Sequence, residues 1–334
     1  MPPLLLAEIV YPGWDPVAIH LGSFAVRWYG LGYLAGFLVA GWLLDRLSRD
    51  RFLPLTTAAV SDLIGWLVVG VIAGGRLGYA VFYDHSMLVH PLELAKLWTG
   101  GLSFHGGLLG VVIASALFAR RHAVAWRRLA DALALAAPIG IFLVRCANFV
   151  NGELYGRVAT AGLPWAMRFP TDPAAAAASP ALAAAGAFRW HDVYRDLRAS
   201  GAWERVAAQV PLRHPSQLYE ALLEGLLLAA VLWTLYRWRV RPRPGGAPES
   251  AEGLARPGAL AGVFLFGYAT ARFLVEFTRQ PDAQFAGPSN PLGTVLGPLS
   301  MGQVLSLALV AGGALFIWWR PRRGRPAAGG AARL

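Results

Sequence analysis

Seven separate stretches of about twenty mostly apolar residues dominate this sequence, at residues 21–44, 63–83, 101–119, 129–150, 216–236, 258–277 and 301–319. At a rise of about 1.5 Å per residue, each is long enough to cross a hydrocarbon core of about 30 Å. A backbone in lipid must satisfy its own hydrogen bonds, so these stretches are expected to be helices. Composition agrees with this. Of 334 residues, 56% are hydrophobic and only 15% charged, against about 25% charged in soluble domains, and mean hydropathy is +0.47. A water-soluble enzyme and a disordered chain are both excluded. The one cysteine, Cys146, allows no internal disulfide and no multi-thiolate metal site. The predicted fold is all-α and polytopic, with seven transmembrane helices.

A formal net charge of +11 invites a nucleic-acid reading, but the basic residues lie mostly between the apolar runs. One set of connections holds Arg46, Arg49 and Arg51, then Arg120, Arg121, Arg127 and Arg128, then Arg237, Arg239, Arg241, Arg243 and Arg256. The tail adds Arg320, Arg322, Arg323, Arg325 and Arg333, while the opposite short loops hold only Lys96 and Arg279. Because cytoplasmic loops collect positive charge, the N-terminus is expected outside and the C-terminus in the cytoplasm. No nucleic-acid partner is expected. The opening residues lack the basic start of a secretory signal, so the first span is expected to target the chain. One outward connection, 151–213, is too long for a simple loop and carries Trp165, Trp190, Tyr194 and Trp203. It is expected to form a small extracytoplasmic cap, with its Ala-rich part, 173–187, a variable insertion or a short helix. The expected division is therefore spans one to four in 1–150, the cap in 151–213, spans five to seven in 214–320 and a cytoplasmic tail in 321–334. Residues 241–250 read as a linker.

Ionisable residues inside a span are costly and by default mark a site. Followed along the alternating directions of the spans, Arg27, Tyr29, Arg76, Tyr79, Tyr83, His105, Arg145, Glu220, Glu224, Arg272 and Glu276 all fall in the outer half of the membrane. The inner half holds boundary acids such as Asp62 and Asp131, expected at helix starts, where they favour the dipole. Arg76, Tyr79 and Tyr83 share one helix face, as do Arg145 with Asn148 and Arg272 with Glu276 and Arg279. Arginine stays charged and binds phosphate or carboxylate with a planar fork. Several facing one outward pocket therefore need an anion there, and a phospholipid headgroup is the anion at hand. The alternative is that each arginine pairs with Glu153, Glu220, Glu224 or Glu276 to hold helices together.

Other features read more plainly. His105 sits among glycines in GGLSFHGGLLG, either as a functional group approached closely by a ligand or as a bundle hydrogen-bonder beside helix contacts. Gly30, Gly32 and Gly36 lack a strand and turn and read as helix packing rather than a nucleotide fingerprint. The seven histidines form no metal-ligand spacing, and Cys146 lies among apolar neighbours as packing. Trp14, Trp98, Trp318 and Trp319 read as interface aromatics. A transporter of an anionic lipid would instead place charges near the midplane and show paired repeats.

Three blocks, GGLSFHGGLLG (100–110), RCANFVNGELYGR (145–157) and RFLVEFTRQPDAQF (272–285), together resemble the prolipoprotein diacylglyceryl transferase family. HPSQLYE (214–220), RWYGLGYLAGF (27–37) and GGRLGYAVFY (74–83) fit it too, and the resemblance runs from about residue 15 to 319. It implies a bacterial inner-membrane enzyme that moves the diacylglyceryl group of phosphatidylglycerol onto the lipobox cysteine thiol of a prolipoprotein. A thioether forms and glycerol 1-phosphate leaves, with no cofactor and no metal. It also implies catalytic roles for Tyr29, His105, Arg145, Glu153, Arg272 and Glu276. Headgroup binding would fall to Arg76, Arg145, Asn148, Asn151, Gly156, Arg272 and Arg279. The chain departs from the family around Arg145, where Val144, Cys146 and Ala147 stand in place of the usual glycines and leucine. The nucleophile is the substrate's own thiol, so no enzymic nucleophile is needed. His105, Glu153 or Glu276 would take its proton, or the arginine field alone would lower the pKa of the thiol.

Overall fold

A computed structural model describes residues 9–21, 24–96, 100–160, 162–241, 253–281 and 285–318. The expected interface residues Trp98 and Trp319, and most of the expected linker and tail with Arg243 and the tail arginines, lie outside the described residues. The protein is mostly helical. The long helices are α1 (Trp28–Arg49), α2 (Thr57–Phe82), α3 (Phe104–Arg121) and α4 (Trp126–Val150). Residues 151–213 supply α5 (Pro173–Ala178), α6 (Pro180–Ala199) and α7 (Trp203–Ala207). Three further long helices follow: α8 (Ser216–Val240), α9 (Ala259–Glu276) and α10 (Met301–Trp318).

Six of these, α1, α2, α4, α8, α9 and α10, are long and apolar enough to cross a membrane. Helix α3 forms where a span is expected and carries His105, Gly106, Gly107, Gly110, Ser115 and the terminal Arg120 and Arg121; it is not among the six. The first span also begins later than expected. Val17–Leu21 (β1) pairs antiparallel with Phe24–Arg27 (β2), and the helix starts only at Trp28. Alternating apolar residues on either side of Gly22 and Ser23 are a hairpin signal that the long apolar run concealed. Arg27 thus ends a strand instead of lying inside a span.

Small residues set the closest helix crossings. Gly70, Gly74 and Gly78 on α2 face Gly106 and Gly110 on α3. A Cβ on Gly70 would stand 2.7 Å from the Gly110 carbonyl oxygen, and one on Gly78 2.6 Å from the Gly106 Cα. Glycines every fourth residue let two backbones touch in lipid, where apolar burial gives helices little reason to associate. Gly32 and Gly36 pack on α4 against Leu143 and Gly140, while Gly30 has open space beside it.

Two apolar cores result. One joins Leu44, Leu47, Leu63, Phe118, Leu129, Leu135, Leu232 and Leu260 between the helices. The other gathers Tyr11, Phe149, Phe169, Trp190, Tyr194 and Trp203, and so ties the N-terminal segment to residues 151–213. Tyr11 donates to the carbonyl of Phe149 at 2.6 Å, and Tyr194 donates to that of Tyr11 at 2.8 Å. The Ala-rich stretch is helical, started by Asp172 and Ser179, whose side chains accept from Ala174 and Leu182.

Asp131 corrects one expectation. It does not serve the start of its own helix. Its carboxylate accepts from the backbone of Gly258 at 2.7 Å and Ala261 at 2.9 Å, so it caps α9 from outside. Gly258 takes a left-handed φ of 96° at that cap, open to glycine at little cost.

Candidate active site

Between the two cores, the C-terminal end of α4, the N-terminal end of α8 and the C-terminal end of α9 bring Arg145, Glu220, Glu224, Arg272, Glu276 and Arg279 together. Helix spacing accounts for the sets. Arg272 and Glu276 are one turn apart on α9, as are Glu220 and Glu224 on α8. The bundle turns these faces toward one another. Arg272 donates to Oε2 of Glu276. Arg279 donates to Oε1 of Glu220 at 2.6 Å and lies 3.7 Å from Glu276. Glu276 also accepts from Ser300 Oγ at 2.8 Å.

Arg145 is held differently. Its Nε is 3.0 Å from Glu220 Oε2, yet neither atom makes an aligned hydrogen bond. Its one hydrogen bond among the described residues goes to Asn148 Oδ1, at 3.4 Å. The site therefore opposes three arginines (Arg145, Arg272, Arg279) to three buried glutamates (Glu220, Glu224, Glu276), and Arg145 is a cation retained by charge with most of its donors unspent. A fork of this kind is suited to an incoming phosphate.

Asn148 continues outward. It donates to Oε1 of Glu153 at 2.8 Å, and Asn151 donates to the same oxygen at 3.1 Å. The chain Arg145–Asn148–Glu153 thus leads from the half-buried arginine to an exposed carboxylate. Gly156 is required by close approach: a Cβ there would collide with the Thr278 carbonyl oxygen and stand 2.9 Å from the His214 Cβ. Its N–H bonds His214 O at 2.8 Å and its backbone pairs with that of Arg279. Gly156 therefore positions Arg279.

Three predicted site residues stand apart from these bonds. Arg76 is buried, and its guanidinium donates to the carbonyls of Glu93 (2.7 Å), Leu94 (3.2 Å), Lys96 (2.9 Å), Gly101 (3.0 Å) and Gly100, so it staples the connection from α2 to α3. His105 is exposed in the first turn of α3. Tyr29 pairs with Tyr33, with hydroxyls 3.5 Å apart. Among the described residues no group of histidine, cysteine and acid side chains has the form of a metal site.

Glu220 and Glu224, which the sequence offers as outer-half charges and ion-pair partners but without a catalytic or binding role, belong to the cluster. HPSQLYE held the missing signal. Ser216 Oγ donates to the Leu154 carbonyl at 2.9 Å and Gln217 Nε2 to that of Glu153 at 2.6 Å, while Glu220 carries two arginines. Two polar residues at the head of the helix thus fix the loop that carries Glu153, and a third holds the arginines. Just before them, burial holds the His214 imidazole below its ordinary range, which favours its neutral form.

A family profile described as prolipoprotein diacylglyceryl transferase matches residues 16–319. A protein of Burkholderia thailandensis named phosphatidylglycerol–prolipoprotein diacylglyceryl transferase is 42% identical over 322 residues, 95% of this chain and 98% of its own. Proteins of Burkholderia mallei and Burkholderia pseudomallei with the same name match to the same extent.

Proposed function

The chain belongs to the prolipoprotein diacylglyceryl transferase family, and from that premise we propose how its charge cluster carries out the transfer. The protein is a membrane-embedded transferase that moves the diacylglyceryl group of phosphatidylglycerol to a prolipoprotein cysteine. In the step, the thiol sulfur attacks the glyceryl carbon that bears the phosphate. A carbon–sulfur bond forms and the carbon–oxygen bond to phosphate breaks. The electron pair leaves with glycerol 1-phosphate, and the thiol proton passes to a base.

Arg145 and Arg272 hold the phosphate and stabilise the charge that grows on it. What carries this reading is Arg145, a buried-site cation with a single long hydrogen bond, to Asn148. Arg279 already bonds Glu220 and orients the cluster; Arg272 is paired with Glu276, whereas the hydrogen bond of Arg145 goes to an amide oxygen and to no carboxylate. A phosphate ester leaves without an acid, so the enzyme must supply positive field more than protons. For the base we take Glu153, an exposed carboxylate hydrogen-bonded through Asn148 to Arg145. Glu276 is already engaged by Arg272, Arg279 and Ser300. Tyr29 and His105 are taken to line the path of the substrates, and Arg76 to hold the loop before α3.

The same reading gives seven crossings with α3 as the third. It places residues 151–213 as a cap outside the cytoplasmic membrane, the N-terminus outside, and residues 321–334 inside as a tail. A lipid headgroup and a secreted peptide then meet at the depth of the arginines. Purified protein in phosphatidylglycerol micelles with a lipobox peptide should release glycerol phosphate only when the peptide thiol is present, with a matching diacylglyceryl gain in peptide mass. Release without the thiol, or lipid flux without any mass gain, would contradict the transfer.

A further inference from the structure

Glu224 is the least satisfied buried charge among the described residues. It is 0% exposed, and neither carboxylate oxygen has a hydrogen-bond partner among the described residues. A buried carboxylate left so costs the desolvation of the whole group. A group that expensive, one turn from another acid, needs a reason. Its nearest cation is Arg145, whose terminal nitrogen lies 4.0 Å away, and Arg272 and Arg279 act on it electrostatically from further off.

Local structure brings the two together. Residues Ala221–Leu227 of α8 wind as a π-helix, a form that concentrates at functional positions. Beside Glu224, Gly225 lets α8 press on α4: a Cβ there would stand 2.7 Å from that of Phe142, one turn before Arg145. Arg145 is thus flanked by Glu220 at 3.0 Å, Glu224 at 4.0 Å and Asn148 at 3.4 Å.

We propose that Glu224 is a positioning residue for the transfer, a second carboxylate seat that keeps the Arg145 guanidinium aimed when the headgroup phosphate competes with Glu220 for it. Glu220 serves both Arg145 and Arg279. A phosphate drawn to Arg145 weakens the first of these contacts. A shift of the guanidinium toward Glu224 then replaces it with a hydrogen bond that the waiting oxygens can accept. Glu224 itself touches no substrate. Its effect belongs to the step in which the arginine must be held, so it falls on kcat rather than KM. This inference rests on the reading of Arg145 as the phosphate clamp.

The test compares wild type, Glu224→Gln, Glu224→Leu and Arg145→Ala as purified full-length protein in phosphatidylglycerol micelles with a lipobox peptide, measuring kcat, KM for the lipid and thermal melting. Glutamine keeps an acceptor oxygen and should retain kcat within about fivefold, while leucine should lower kcat by about tenfold or more with KM within about threefold. Both variants should melt at or above wild type, because a buried, unbonded carboxylate is gone. Wild-type kcat in Glu224→Leu, a loss carried by KM, equal losses in both variants, or a lowered melting temperature in Glu224→Gln would each overturn the seat. Full activity in Arg145→Ala would instead remove the clamp reading on which it rests.

Discussion

Arg145 and Glu224 show how much chemistry sits in how a single side chain is bonded. Intramembrane arginines and glutamates at one depth were visible in the sequence, because charge in an apolar run is conspicuous and helical spacing says which residues share a face. Which arginine would pair with which acid was not visible, since that depends on how α4, α8 and α9 rotate against one another. The ion pairs weighed as the alternative form, with hydrogen bonds, at two of these arginines. Arg279 and Arg272 are bonded to Glu220 and Glu276, whereas Arg145 keeps most of its donors. Arg76 illustrates the limit: its place on the same face as Tyr79 and Tyr83 gave no hint that five backbone carbonyls would take its guanidinium. The proton acceptor is testable at this scale. Glu153→Gln is expected to flatten the acid limb of kcat/KM against pH, while Glu276→Gln keeps the limb and loses rate at every pH. A limb kept in Glu153→Gln and lost in His105→Gln would move the base to His105.

At the scale of elements, long helices were legible and their ends were not. The second strand of the hairpin falls within the apolar window expected to span, because β-branched and aromatic residues serve strand and span alike. Glycines in 70–78 and 106–110 explained themselves only once α2 and α3 were seen to touch, which settles one half of the ambiguity around His105: two of its neighbouring glycines are helix contacts. The N-terminal segment is fastened to residues 151–213 by Tyr11 and by Asp15, whose oxygens lie 3.0 Å from His20 and 3.3 Å from His191. Burial pushes the Asp15 carboxyl up, but hydrogen bonds from His20 and the Val17 N–H, with the charges of His191 and His20, outweigh it and hold the group below its ordinary range. A carboxyl depressed in the folded state contributes stability above its unfolded pKa and loses it as pH falls through the folded value. Asp15→Asn should therefore melt below wild type at pH 7, and the gap should close as pH falls below about 4. A gap that stays constant down to acid pH would show that the carboxylate charge plays no part in the fastening.

For the whole molecule, the sequence conveyed the class of fold, the family and the end of the bundle where charge collects, because each is written in composition, motif order and loop arginines. It did not convey that residues 151–213 would build a second aromatic core with Tyr11. The proposed orientation rests on the arginine-rich connections and is open to direct test. In a Cys146→Ala background, a cysteine at Ser200 should react with a membrane-impermeant maleimide on intact cells and one at Ser48 only after the membrane is opened; the reverse pattern would invert the topology. The proposed orientation would bring lipid headgroup and secreted thiol to the same charge cluster. Whether the cluster is the reaction centre is tested most directly by single-turnover transfer in Arg145→Ala at saturating phosphatidylglycerol, with melting measured alongside. A properly folded variant should lose about 10²–10³-fold in rate, as expected when a principal donor to developing charge is removed. A rate within about threefold of wild type would mean that the phosphate is held elsewhere.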